Sequence, residues 1–407
     1  MERIVIVGSG HAGFTLASQL RNKKFQGEIF LIDSQNELPY QRPPLSKDFL
    51  ADSFKKERLY FKNQSFYIKN NIILINDTVS EISNSEKKII FNDRRCLTYD
   101  KLVLALGSKS KKLTVLEGYN NVMHISDIES VDLLKLKLKS TSKLTIVGSG
   151  FISLEFASYA AKIGIETTVL VRGDNILSRS LSRDTSNIIK KYHMSKGINF
   201  IFEDEVESVF SDNGNIKSLV LKSQKIIDAD LVLVAIGSLA NDDLALNSNL
   251  PTDNGILVNE NFKTLDDYIY AIGDCASFII KGNYRNRLES VQNAIDQAKY
   301  LTSYFLKESS IFTCTPYFWS DQGELKIQST GFFGDFDSNI IIGENVDHGI
   351  INFLFKDEIL IAIESVNSPG VHILMKKIIS DIGNRLITYS LLRQFDFDLT
   401  KLVNSIN

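Results

Sequence analysis

A short β-branched run ending in Gly-Ser-Gly occurs twice in this chain, as IVIVGSG at 4–10 and as LTIVGSG at 144–150. Each copy leads into an Ala/Leu/Phe-rich stretch with helical spacing. Strand, glycine turn and helix start together form a phosphate-binding turn. Unpaired N–H groups and the dipole at the helix N-terminus favour a pyrophosphate there. Copies so far apart predict two successive nucleotide-binding units rather than two halves of one sheet. The 407-residue length allows two or three domains.

The first copy is complete, with Gly8, Gly10 and Gly13 around His11 and Ala12. Gly8 permits the tight turn, Gly10 lets a pyrophosphate approach the backbone, and Gly13 lets helix and strand pack closely. Asp33 closes the strand-like EIFLID and is spaced to accept hydrogen bonds from an adenosine ribose. This copy reads as a complete dinucleotide site. The second copy keeps Gly148 and Gly150 but has Ser153 in place of the third glycine. Its following strand ends in Val171-Arg172, where an NAD site would carry an acid. Arg172, with Arg179 or Arg183, is suited to a 2′-phosphate through charge-assisted hydrogen bonds. The second site is therefore expected to take NAD(P)H, with NADPH favoured over NADH.

Between and after the copies, residues 71–75 and 87–91 read as short strands. KLVLALG at 101–107, LVLVAIG at 231–237 and YAIG at 270–273 read as buried strands stopping at a glycine. A net charge of −3 without a polybasic block removes the usual footprint of nucleic-acid binding. No apolar run is long enough for a membrane span, and MERIVIVGSG lacks the parts of a signal peptide, so a cytoplasmic location is expected. The three cysteines, Cys96, Cys275 and Cys314, form no CxxC, and the five histidines lack metal-ligand spacing, so no metal site is expected.

The motifs VIVGSGHAGFTLA, PYQRPPLSKDFL, TIVGSGFISLEFA, YAIGDCA, RLESVQNAIDQA, PYFWSDQGELKIQSTG and ESVNSP stand in this order along the chain. As a set they resemble the FAD-dependent ferredoxin reductases of bacterial oxygenase systems, of the putidaredoxin-, rubredoxin- and aromatic-ring dioxygenase-reductase type. The resemblance implies an α/β fold class: two Rossmann-like dinucleotide-binding domains plus a C-terminal α+β domain. The expected boundaries are a discontinuous FAD domain at 1–110 and 241–314, an NAD(P)H domain at 111–240, and a C-terminal reductase-type domain at 315–407.

The resemblance also assigns roles. Lys47 would lie beside the reactive edge of the flavin, paired with Glu155, where its charge helps stabilise reduced flavin. The bland reading of that stretch is a rigid turn, a helix-capping Ser46 and an exposed lysine. Asp274 would hold a ribityl hydroxyl, and Val291 would offer a backbone N–H from a helix starting in 289–292. Trp319, the sole tryptophan, would lie against the flavin, although a lone tryptophan is commonly a core anchor. His11, Ala12, Arg42, Val79 and Gly107 complete the FAD set. Phe151, Ile152, Glu155, Val171, Arg179 and Gly237 complete the nicotinamide set. Two departures touch individual FAD contacts: Ala105-Leu106-Gly107 replaces the usual Ala-Thr-Gly ending, and Ser126 stands where an arginine is common.

Without a cysteine pair near the flavin, electrons cannot leave by the route of disulfide reductases. Nor does the chain hold a Cys₄ pattern for its own iron–sulfur cluster. The expected acceptor is therefore a separate small [2Fe–2S] ferredoxin, met by a monomer or homodimer. The rivals are a rubredoxin or small-acceptor reductase, and a slow NAD(P)H sensor resembling apoptosis-inducing factor.

Overall fold

The computed structural model describes residues 1–281, 284–332, 334–368, 370–381 and 387–406. The chain forms two compact units. The first comprises Met1–Pro44, Phe54–Lys109 and Ser238–Cys314, and the second Leu45–Ser53, Ser110–Gly237 and Thr315–Asn407.

The first unit is built on a parallel sheet ordered Ile269–Ala271, Lys101–Leu104, Arg3–Val7, Glu28–Asp33, Ile72–Asn76. Val5 stands beside both Phe30 and Leu102 in register. A strand covered on both faces needs a continuous apolar run, which Ile4, Val5, Ile6 and Val7 provide. Helix His11–Asn22 buries Leu16 and Leu20 and packs against helix Val291–Phe305, which buries Ala298 and Leu301. Burial of each such large aliphatic side chain stabilises by about 1.5–3 kcal/mol. The chain leaves Arg3–Val7 toward one side of the sheet and returns on the other. Its carboxyl end is therefore the switch point where a crevice opens.

The second unit repeats this plan in the order Asn199–Phe202, Glu166–Val171, Lys143–Val147, Leu231–Val234, Val122–Met123. Helix Phe151–Lys162 follows Lys143–Val147 and buries Leu154, Phe156 and Ala157. Ser126 lies at the entry to helix Ile128–Leu138, beside a capping box in which Asp127 accepts from the Ser130 N–H. The same unit holds an antiparallel sheet ordered Tyr317–Gln322, Leu325–Gly331, Ile359–Val366, Ile350–Lys356, Ser338–Ile342. Phe353, Ile363, Met375 and Leu402 form the core of that part. Helix Phe151–Lys162 packs against strand Tyr317–Gln322.

The α/β class and both Rossmann-like sheets are as the repeat predicts. The expected strands appear, with adjustments at their ends. The 101–107, 231–237 and 270–273 runs leave the sheet after Leu104, Val234 and Ala271, and the 289–292 helix starts at Val291 with Ser290 as its cap.

Candidate functional site

In the first unit, three parallel strands lead within three residues into glycines with left-handed backbone: Gly8 at φ 104°, Gly107 at 68° and Gly273 at 77°. A Cβ on Gly8 would stand 2.1 Å from the carbonyl oxygen of Ala105, and one on Gly13 would stand 1.9 Å from that of Gly8. These two glycines are required by packing. Around Gly10 and Gly107 there is nothing within 4 Å of where a Cβ would stand, so their space is open. Helix His11–Asn22 starts after Gly10 with no side-chain cap and no acid in its first turn. An open helix N-terminus facing a glycine-lined crevice fits an anionic pyrophosphate.

Asp33 is at the end of its strand, as expected, but it is also tied into the glycine turn. Its Oδ2 accepts from the Ser9 N–H at 2.9 Å and the Ser9 hydroxyl at 2.7 Å, and Oδ1 accepts from the Gln35 N–H at 3.0 Å. Ala12 meets the Gly273 turn, 3.1 Å from where a Cβ on that glycine would be. His11 packs edge-on against Phe61 at 4.9 Å. Burial, then the charge of Arg42, pushes its pKa down to about 4, so the ring is neutral. Arg42 lies over the Tyr40 ring. Burial, then the charge of Glu289, pushes Asp274 up to about 6. Arg287 pairs with Glu289 at 2.7 Å and donates to the Asp274 carbonyl oxygen at 2.8 Å. Val79 is half-buried in a hairpin opposite Phe91. Asp33, Arg42 and Asp274 thus supply polar groups in a unit whose glycines leave room for FAD.

The second unit repeats the turn. Gly148, at φ 116°, would place a Cβ 2.3 Å from the Ala235 carbonyl oxygen, while Gly150 is open. Ser153 fits where the third glycine was expected, because it is fully buried and its hydroxyl donates to that same carbonyl at 3.2 Å. Helix Phe151–Lys162 also starts without a side-chain cap or first-turn acid. Phe151 is half-buried and Ile152 exposed at that start. Arg179 lies beside Gly237, its guanidinium 3.3 Å from where a Cβ there would be. Val171 is buried, and the Arg172 side chain is 85% exposed, with Nε 3.9 Å from Glu205. Glu205 also pairs with Lys222 at 2.8 Å, and Arg183 pairs with Asp174 at 2.7 Å.

Lys47 and Glu155 come together within this unit. The Lys47 ammonium is 2.8 Å from Glu155, whose side chain is 3% exposed. Ser46, which could have capped a helix, instead donates to Glu155, and so does Ser320 at 2.6 Å. The exposed-lysine reading therefore gives way to a half-buried lysine paired with a buried glutamate. Trp319 is half-buried, with its ring 6.0 Å from that of Tyr317 and tilted by 24°.

Sequence reasoning missed Ser320, Gln322, Glu205 and Glu364. Ser320, Gln322 and Glu364 belong to quoted motifs, yet only the folded chain brings them to their partners. The three cysteines are free thiols, Cys275 and Cys314 being pushed up to about 12 by burial. Among the described residues no helix is long and apolar enough to cross a membrane, and no three His, Cys, Asp or Glu side chains cluster as metal ligands.

Two uncapped phosphate turns on separate parallel sheets define a protein that handles two dinucleotides. The chain belongs to the pyridine nucleotide-disulphide oxidoreductase family, which matches residues 2–298, followed by a reductase C-terminal domain at 317–403. It is a flavoprotein oxidoreductase. Among its relatives, rhodocoxin reductase of Rhodococcus erythropolis is 36% identical over 93% of this chain and 89% of its own length. Putidaredoxin reductase CamA of Pseudomonas putida is 31% identical, covering 93% and 92%. A ferredoxin reductase for the CYP199A2 system from Rhodopseudomonas palustris superposes with a TM-score of 0.94 at 32% identity, covering 98% of this chain and 99% of that one.

Proposed function

We propose that this chain takes electrons from NAD(P)H through FAD to a small iron–sulfur protein, a [2Fe–2S] ferredoxin serving an oxygenase. FAD, when bound, accepts a hydride and releases electrons one at a time, which is the two-to-one conversion such a partner needs. The observation that carries the reading is the pair of open helix N-termini, Gly10–His11 and Gly150–Phe151, each in its own parallel sheet.

The residues then divide the work. Residues 1–110 and 241–314 bind FAD, 111–240 bind the nicotinamide cofactor, and 315–407 form the reductase-type domain. Gly8, Gly10 and Gly13 admit the FAD pyrophosphate, Asp33 and Asp274 hold its sugar hydroxyls, and Val291 offers a backbone N–H. Gly148 and Gly150 admit the second pyrophosphate. Glu155 holds the Lys47 ammonium, whose charge stabilises reduced flavin.

The nicotinamide choice leans to NADPH. Val171 leaves no carboxylate at the strand end, and Arg172 is exposed there with only a 3.9 Å pairing to Glu205. A 2′-phosphate would meet a cation. A rubredoxin-NAD(+) reductase of Pseudomonas putida, 33% identical, favours rubredoxin as the second acceptor to try.

Steady-state kinetics with NADH and NADPH, against ferredoxins and a rubredoxin, tests the reading. Arg172→Glu is expected to lower kcat/KM for NADPH by about tenfold or more relative to NADH, about 1.4 kcal/mol. An unchanged ratio removes Arg172 from the site. A protein that takes up no FAD would sink the whole proposal.

A further inference from the structure

Glu155 is the end of a buried chain of hydrogen bonds that runs through three elements of the second unit. Ser320, on strand Tyr317–Gln322, is 2.6 Å from Glu155 Oε1. A carboxylate paired with an ammonium has no proton to give, so the serine donates. Its oxygen then accepts from Gln322 Nε2 at 3.1 Å. That turns Gln322 Oε1 toward His193 Nε2, 2.7 Å away on helix Arg183–Ser195. An amide oxygen only accepts, so Nε2 carries the ring proton. Burial holds the His193 pKa below its usual value, so the ring is neutral and Nδ1 accepts from Ser158 Oγ at 3.4 Å.

Every bond in the chain points the same way and ends on Glu155. Ser158 and Glu155 lie three residues apart on one helix, so the chain leaves that helix and returns to it. Hydrogen bonds aligned in one direction polarise one another, strengthening the last of them. Ser320, Gln322 and His193 are all fully buried. Apolar residues of like volume would fill this space at least as stably, so packing alone does not account for three polar ones.

We propose that Ser320 is a positioning residue for the Lys47–Glu155 pair, with Gln322 and His193 fixing the direction of its hydroxyl. The inference rests on the reading that Lys47 stabilises reduced flavin. Without Ser320, Glu155 Oε1 loses the hydroxyl it shares with the Lys47 ammonium, and only Ser46, on Oε2, still orients the carboxylate from a serine.

The test is the two-electron midpoint potential of the bound flavin, measured with KM for the nicotinamide. Ser320→Ala is expected to lower the potential by about 30 mV, a tenfold loss of preference for reduced flavin. KM should stay within about twofold, and Ser320→Thr, which keeps the hydroxyl, should restore the potential. If Lys47→Met lowers the potential but Ser320→Ala does not, the positioning role is wrong and the Lys47 reading stands. If neither variant moves it, both are wrong. The wild-type holoenzyme gives an independent check by ¹⁵N NMR of labelled histidine. A neutral His193 protonated at Nε2 supports the chain, and one protonated at Nδ1 overturns it.

Discussion

Gly8 and Gly10 look alike in the sequence but do different work. Gly8 is held by packing, with a carbonyl oxygen 2.1 Å from where a Cβ would sit and a φ of 104°. Gly8→Ala is expected to destabilise the protein itself by roughly 2 kcal/mol or more, through backbone strain and the clash. Gly10 has nothing within 4 Å, so Gly10→Ala should leave the apoprotein stable and instead weaken FAD retention. Thermal unfolding of both apoproteins, with FAD titration, separates the two. Equal loss of stability would mean that Gly10 is a packing glycine too. The three-glycine pattern was legible from sequence because strand periodicity and glycine spacing are local. Asp33 was legible as an acid at a strand end. Its bonds to Ser9 were not, since they depend on two strands lying side by side.

Elements that are distant in sequence meet at single polar side chains. Strand Ile359–Val366 places Glu364 at the N-terminus of helix Arg183–Ser195, where its carboxylate accepts from the Ser182 N–H and hydroxyl, both at 2.6 Å. Asn352 also donates to it, at 3.4 Å. The ESVNSP motif was visible, but this capping role was not, because nothing local couples 364 to 182. Glu364→Ala leaves buried donors without an acceptor and is expected to cost about 3 kcal/mol, read from the urea midpoint. Burial raises the Glu364 carboxyl above its ordinary 4.5, against the pull of its hydrogen bonds. The folded protein therefore holds this proton to higher pH than the unfolded chain. Its contribution is full below 4.5 and declines as pH rises through the raised value. Glu364→Gln should remove that slope, and an unchanged slope would place it elsewhere.

At the scale of the molecule, the family name includes disulphide chemistry, while this chain has three scattered free thiols. Replacing all three, as Cys96→Ser, Cys275→Ala and Cys314→Ser, should leave electron transfer to the acceptor within about twofold of wild type. A large loss in kcat with FAD still bound would show that a thiol carries electrons. The two-dinucleotide plan could be read from the sequence because the same device appears twice. The choice of acceptor could not, since a docking surface has no fixed local pattern.

The order of the strands in the first unit also has a consequence for how the protein is made. Its parallel sheet takes one edge from Ile269–Ala271, and its helix pair needs Val291–Phe305 beside His11–Asn22. On the ribosome, Lys101–Leu104 and helix His11–Asn22 must wait through the synthesis of most of the second unit before Ile269–Ala271 and Val291–Phe305 emerge beside them. The nascent chain meanwhile exposes an unfinished sheet edge, the kind of surface that chaperones protect and that aggregates when left bare. A truncation before residue 269 lacks that edge strand, so added flavin would meet a sheet that cannot close.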